Sequence, residues 1–500
     1  MQAKQFCSGA DLCLQRNKTM KKITKEEGLE ILFFAFILCV WLAWAYILPF
    51  NEGPDEYMRS RIVEYIVEYG GLPTGYQQEI MDYSWGFTYG FRPILPQILE
   101  ALFVRAAMFF TEDSFLILFA GRLTSVICGL VFAAYVRLTA KKLFSSSGMQ
   151  WLFTVLVVCL PQAAFLFTYL NCDSMALMAS AMIVWYLLSG REDGFSIRIC
   201  VKLSLSFAIC ILSYYNAYGF LLAAALVFFG FYLERSRRGE ACWGEFWRKG
   251  FLILGITFAL SGWWFIRNYF LYDGDILGLR TQDLYAEQYA MDILKPSNRR
   301  TYRNQGRSML YMLFRSDWIV SVAKSFIGVL GPLWYALRWW MYLGYALILG
   351  TGLLGGVLEG AARLHSRGKE RRVNYETLFW HVGMAAAILA PNILSFWYSY
   401  ATDYQPQGRY SMPMLIPFMY YITKGISFLI RRLCRRTGAW MRSLAQAGTT
   451  LVCLWIAGAA LFCVIRIMWP AYKDVEDKSA VRVYTMEELY GEDWEEKVSE

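Results

Sequence analysis

Two adjacent carboxylates follow a proline at Pro54-Asp55-Glu56, within six residues of the end of a long apolar run. A carboxylate at a membrane surface is either simply solvated or positioned as a general base for a hydroxyl that attacks a substrate. The next stretch puts Ile62, Ile66 and Tyr69 at helical spacing, with Glu64 and Glu68 on another face. That pattern predicts an interfacial helix holding the acids close to the bilayer. Far along the chain, Arg409 follows Gln407-Gly408 and precedes Pro413, so its backbone is shaped and its planar guanidinium suits an anion. Arg267 closes an apolar run and is either a snorkelling side chain or an anion ligand. Asp173, in Asn171-Cys172-Asp173, is either a helix N-cap or a site residue. Arg122 and Arg137 stand inside a run and read as interhelical partners or interface anchors.

The elements that must position these side chains are membrane helices. Of 500 residues, 57% are hydrophobic, too apolar a balance for a water-soluble globule. Ile31–Phe50 gives twenty residues without a formal charge, Thr377–Thr402 twenty-six and Ser443–Ile465 twenty-three. About 20 apolar residues cross a hydrocarbon core of roughly 30 Å, and backbone in lipid must satisfy itself as helix. The aromatic share of 17% fits anchoring at bilayer interfaces, with Trp263-Trp264 and Trp339-Trp340 as belts or, in the alternative, as sugar-stacking faces. Thirty residues precede the first run and no small-residue cleavage site follows it, so it is expected to stay as a span. The net charge of +9 is spread over short loops and predicts no nucleic-acid face. The twelve cysteines show no CxxC pair and read as small core side chains. His365 and His381 are too few and too scattered for a metal site.

Charge sets the expected topology. Lys4, Arg16, Lys18, Lys21, Lys22 and Lys25 place residues 1–30 in the cytoplasm. An external loop follows at about 51–114, with ten acids against four arginines from Asn51 to Asp113; its stretch Ile94–Phe110 holds Glu100 and Arg105 and reads as an interfacial helix. Spans two to four fall at about Phe115–Leu138, Gln150–Leu170 and Ser174–Gly190. Leu203–Leu233 is read as two spans with a hairpin at Tyr214–Gly219, which keeps Arg235, Arg237, Arg238, Arg248 and Lys249 inside. Span seven (about Phe251–Ile266) leads to a second external segment at about 267–338. Spans at about Trp340–Leu358, Thr377–Phe396, Tyr410–Phe428 and Ala447–Val464 complete eleven. Arg363, Arg367, Lys369, Arg371 and Arg372, then Arg431, Arg432, Arg435 and Arg436, fall inside, and the acidic tail 469–500 outside. The fold expected is all-α and polytopic, one membrane domain at 31–468.

Motif order carries a resemblance. A long first external loop with an acidic pair just past span one resembles the GT-C class of glycosyltransferases, which includes protein O-mannosyltransferases and the lipid A aminoarabinose transferase. Within that class the chain is most similar to a bacterial polytopic membrane-protein family with three further signatures. They are a Pro-Asp-Glu opening, matched by Pro54-Asp55-Glu56; an Arg-Asn pair closing a span before a Tyr-Gly-Asp-like turn, matched by Arg267-Asn268 and Tyr272-Asp273-Gly274-Asp275; and a Gln-Gly-Arg-Tyr opening of a late span, matched by Gln407-Gly408-Arg409-Tyr410. The family's His after the acidic pair is replaced in that neighbourhood by Arg59, and its Ser-Ala-Asp-like element appears as Asn171-Cys172-Asp173.

The resemblance implies sugar transfer from a polyprenyl-phosphate donor to a cell-envelope glycan, lipid or protein acceptor, at the outer face of a bacterial cytoplasmic membrane. It implies Asp55 as base with Glu56 supporting. Arg59, Asp173, Arg267, Asn268, Lys324, Gln407, Arg409 and Tyr410 would bind substrate or its phosphate. One displacement would invert the anomeric carbon. No cofactor is indicated, although Asp55, Glu56 and Asp173 could assemble a divalent metal site. A transporter of lipid-linked glycans, or a glycan polymerase or ligase, is the competing expectation. Transport would place charges along a path within the spans, whereas here they concentrate in loops. Asp55 and Arg409 must share one membrane face.

Overall fold

The computed structural model of the chain describes residues 24–365, 373–437 and 439–481. Lys4, Arg16, Lys18, Lys21, Lys22, Arg367, Lys369, Arg371, Arg372 and the acidic tail beyond Val481 lie outside them. The first run forms α1 (Lys25–Ile47), started by a capping box in which the Thr24 hydroxyl accepts from the Glu27 N–H and the Glu27 carboxylate from the Thr24 N–H. Residues 25–30, expected in a separate N-terminal segment, therefore belong to the first helix. The two expected amphipathic helices form as α2 (Glu56–Tyr69) and α3 (Leu95–Ala107).

The chain then builds α4 (Ser114–Leu143), α5 (Ser147–Val158), α6 (Pro161–Leu166) and α7 (Asp173–Asp193). The expected hairpin is present as α8 (Ile197–Ser213) and α9 (Gly219–Arg237), turning through Tyr215–Tyr218. After α10 (Trp243–Leu271) come the loop helices α11 (Leu279–Tyr289), α12 (Met309–Arg315) and α13 (Trp318–Gly328). A ribbon of β1 (Val329–Leu330) and β2 (Tyr335–Ala336) pairs antiparallel, with Val329 opposite Ala336. The remaining helices are α14 (Trp339–His365), α15 (Tyr375–Ala401), α16 (Leu415–Thr437), α17 (Ala439–Cys463) and α18 (Trp469–Tyr472).

Among the described residues, nine helices are long and apolar enough to cross a membrane, so the fold is all-α and polytopic. Two of the eleven expected spans differ, each for a local reason. The run from Gln150 to Leu170 breaks between α5 and α6, because Pro161 starts a new helix without an N–H to continue the old one. Helix α8 has 17 residues, roughly 25 Å of rise, short of a full span.

The basic helix ends gather at one end of the bundle, tied to carboxylates. Arg137 bonds Glu26 and Glu30, Lys142 pairs with Glu192, and Arg191 pairs with Glu376 at 2.8 Å. The two long loop segments meet at the other end as one cap. The Tyr272 hydroxyl donates to the Thr74 carbonyl, the Tyr285 hydroxyl to the Tyr76 carbonyl, and Met81, Phe91, Tyr272 and Tyr285 form a small core between the segments.

Helices α14 and α16 cross at backbone contact. A Cβ on Gly425 would stand 1.9 Å from the Gly352 carbonyl oxygen, far inside contact distance. With lipid outside, such pairs gain stability from close packing, which only small residues at the crossing permit. Gly425→Val is expected to separate these helices and lower the thermal unfolding midpoint of the detergent-purified protein. An unchanged midpoint would show that the crossing tolerates a side chain.

Candidate functional site

The site starts from a buried arginine. Arg122 of α4 is fully buried and donates to both Glu56 carboxylate oxygens, through Nε at 2.8 Å and Nη2 at 2.7 Å. Its remaining donors reach the carbonyls of Ala45 at 2.9 Å, Leu48 at 2.5 Å and Pro49 at 3.0 Å. These carbonyls end α1, where the last turn has no intrahelical donors left to it. Glu56 also accepts from the Leu170 and Asn51 N–H groups, each at 3.1 Å. Every Glu56 oxygen is thus engaged. Glu56, expected as a supporting catalytic carboxylate, is a buried strut that fixes its neighbour.

The neighbour is Asp55. It adopts a left-handed backbone, φ 65°, as does Asn51 at φ 66°, so the turn between α1 and α2 is bracketed by two residue types that tolerate this region. The turn aims Asp55 at Arg409. Arg409 Nη2 lies 2.5 Å from Asp55 Oδ2, joining positions 354 residues apart on one face of the protein. The rest of the guanidinium is ordered by Gln407 Oε1 at 2.7 Å, the Pro54 carbonyl at 3.3 Å and the Tyr410 hydroxyl at 3.2 Å. Gln407, Arg409 and Tyr410 come together with Asp55 as one group.

Gly408 explains how this group is held. A Cβ there would lie 2.0 Å from the Phe326 backbone nitrogen, so only glycine lets the Gly408–Met414 turn dock on α13. The Gly408 N–H donates to the Ser325 hydroxyl at 2.7 Å to close the contact.

Arg59, one turn into α2, is nearly buried, stacks on the Tyr89 ring at 4.5 Å and has a buried Nε without a hydrogen-bond partner. Asp173 is 4% exposed at the start of α7, and its charge and that of Asp55 act on both Arg59 and Arg409. The sequence reading missed Arg92, which also lies over the Tyr89 ring, at 4.9 Å, and donates to Gln282 at 2.8 Å. Its signal was present: Arg92 precedes Pro93 in a loop, a shaped backbone like that of Arg409. Tyr169 also escaped notice; its hydroxyl is fully buried beside Arg409. Three guanidiniums face two carboxylates here, which leaves surplus positive charge. Burial pushes the Asp55 carboxyl up, but the charges of Arg409, Arg59 and Arg92 outweigh it and hold the acid below its usual range.

Three expected residues are not part of this group. Arg267 bonds the Pro73 carbonyl at 2.5 Å and stacks on Trp264, beyond the far end of α2 from Asp55. The 14 residues of α2 separate them by roughly 20 Å. Asn268 is buried and donates to the Ile276 carbonyl at 3.1 Å, so the Arg-Asn pair shapes the cap's turn. Lys324 is exposed on α13, where its charge acts on Asp317. The metal site considered for Asp55, Glu56 and Asp173 does not fit, because Glu56 faces Arg122. Among the described residues no three His, Cys, Asp or Glu side chains group to hold an ion.

Glu100 on α3 lies behind the group, fully buried, with the Gln97 side chain and the Asn171 backbone beside it. Burial pushes its carboxyl up to about 8, against the opposing charge of Arg59. From about pH 4.3 upward the unfolded chain loses this proton while the folded chain keeps it, so stability falls as pH rises towards 8. Glu100→Gln is expected to flatten that fall and raise the unfolding midpoint at the alkaline end. Midpoints measured across the window test it, and an unaltered slope would mean that Glu100 ionises freely in the fold.

No protein-family model matches the chain, and no curated protein matches it. Its backbone is similar to the apo structure of ArnT from Cupriavidus metallidurans, at 14% identity and a TM-score of 0.49, over 90% of this chain and 74% of that one. It is similar to the oligosaccharyltransferase AglB from Archaeoglobus fulgidus in complex with an inhibitory peptide and a dolichol-phosphate, at 14% identity and a TM-score of 0.46, over 94% of this chain and 60% of that one. The apo form of the Archaeoglobus fulgidus oligosaccharyltransferase gives 14% identity and a TM-score of 0.47, over 95% of this chain and 60% of that one. The chain thus spans about three fifths of the length of the oligosaccharyltransferases.

Proposed function

We propose that the protein is a membrane glycosyltransferase that moves a sugar from a polyprenyl-phosphate carrier to an extracytoplasmic acceptor hydroxyl. The observation that carries this reading is the Asp55–Arg409 pair, a base and an anion-binding cation in direct contact beside the unpartnered Nε of Arg59. The order of the motifs along the chain supports it independently.

In this mechanism the acceptor oxygen attacks the anomeric carbon as the bond to the carrier phosphate breaks. The phosphate leaves with the electron pair, and Asp55 takes the acceptor proton. A carboxyl held low is a weak base, so the proton moves late, once the forming C–O bond has made the hydroxyl acidic. Proton uptake neutralises Asp55 and frees the charge of Arg409 as the departing phosphate gains its own. Arg59 and Arg92 add to that field. A single displacement inverts the carbon. The donor comes from the membrane, and the acceptor enters at the end capped by the two loop segments.

The direct experiment supplies purified protein with candidate polyprenyl-phosphate sugars and measures release of free lipid phosphate. Asp55→Asn keeps a residue that tolerates the left-handed turn, so folding is expected to persist while turnover falls by about 10²–10⁴. Full turnover in that variant would remove the mechanism. Arg409→Ala is expected to raise the donor KM by about ten- to a hundredfold, the scale of a charged hydrogen bond, with a smaller change for the acceptor. Equal losses on both substrates would assign Arg409 a structural role.

A further inference from the structure

A second feature stands at the opposite end of the bundle. A cavity of about 1380 Å³ opens between α1, α5, α14, α16 and α17. That volume exceeds the roughly 300–1,000 Å³ usual for compact small-molecule ligands. Leu32, Phe36, Trp151, Leu454 and Ala457 line its walls, and Leu32 and Leu454 are exposed on the flank of the bundle. Its charged lining is one-sided: Arg363, Lys424, Arg431, Arg435 and Arg442 against Glu359 alone. Glu359 is already paired with Arg363 at 2.5 Å. Lys424, Arg431, Arg435 and Arg442 make no ion pair among the described residues.

The cations are ordered along the helices. Lys424, Arg431 and Arg435 fall at i, i+7 and i+11, which puts them on one stripe of α16. Apolar walls beside a basic rim match a molecule with a phosphate head and long hydrocarbon chains. Long cationic stems at such a rim keep their heads at the interface while covering apolar surface.

We propose that this cavity binds an anionic phospholipid of the surrounding leaflet, its phosphate held by Lys424, Arg431 and Arg435 and its chains lying against α1, α5 and α17. Charge complementarity selects the headgroup, since basic pockets between membrane helices favour anionic lipids. Position selects a resident phospholipid over the sugar carrier. Twenty-two residues separate Arg409 from Arg431, roughly 30 Å along the α16 axis, so a carrier phosphate seated here is a bilayer's width from Asp55. The site stands on this cavity alone and is independent of the transfer reaction.

The test uses the full-length protein in detergent, exposed to phosphatidylglycerol or phosphatidylcholine, with retained lipid counted by native mass spectrometry. Wild type is expected to retain phosphatidylglycerol preferentially. Replacing both Arg431→Gln and Arg435→Gln is expected to weaken that retention about thirtyfold, on the scale of one interfacial contact per cation. Gly458→Leu is the second variant. A Cβ at Gly458 meets nothing within 4 Å, so the side chain grows into the cavity, and leucine favours helix. It is expected to exclude both lipids while the unfolding midpoint holds. Equal retention of the two lipids overturns the proposal, as does undiminished phosphatidylglycerol in both folded variants, or its displacement by millimolar inorganic phosphate.

Discussion

The buried Arg122–Glu56 contact is the constraint on which the candidate site depends. Burying two charges is costly, and their mutual attraction offsets that cost only when the remaining hydrogen-bonding capacity is also used. Here it is used in full: the guanidinium reaches three carbonyls at the end of α1, and the carboxylate accepts two backbone N–H groups. The contact therefore joins the end of α1, the start of α2, the middle of the chain at Leu170 and the interior of α4. Removing one partner from such a pair costs about 3–5 kcal/mol, because the other charge stays buried. Asp55 is rigid because the residue after it cannot move.

That rigidity gives the turn its chemical character. With Glu56 neutralised from behind, Asp55 shares the three cations only with Asp173 and is held below its usual range. Two neighbouring carboxylates thus meet different arginines: Glu56 is locked to buried Arg122, and Asp55 faces Arg409. Glu100 behind them has no cation in contact and keeps its proton. Both Arg59 and Arg92 lie over the Tyr89 ring, whose electron-rich face attracts each guanidinium.

Much of this was legible in the residues. The helical spacing of Ile62 and Ile66 and the alternation of basic loops carry local physics that the chain states outright. Arg409 was legible because Gly408 and Pro413 restrict its backbone. Arg267 was misread because a cation at the end of a span has the same local signature whether it meets a ligand or a carbonyl. Its position past the far end of α2 is fixed by the packing of the two loop segments, a contact between residues 194 positions apart. Glu56 was misread for a related reason. Nothing beside it in sequence announces Arg122, 66 residues away.

The sequence alone determined that the chain is a bundle of membrane helices with its basic ends on one side, and that Asp55 follows a proline just past the first of them. Hydrophobic run length, charge placement and backbone-restricting residues act over a few positions, and so can be read in order. Only the tertiary structure decided that Glu56 meets a buried arginine, which arginines converge on Asp55, and where the bundle leaves a large cavity. Those outcomes depend on which distant side chains share a low-dielectric volume, where each charge must find a partner, and no local pattern records that choice.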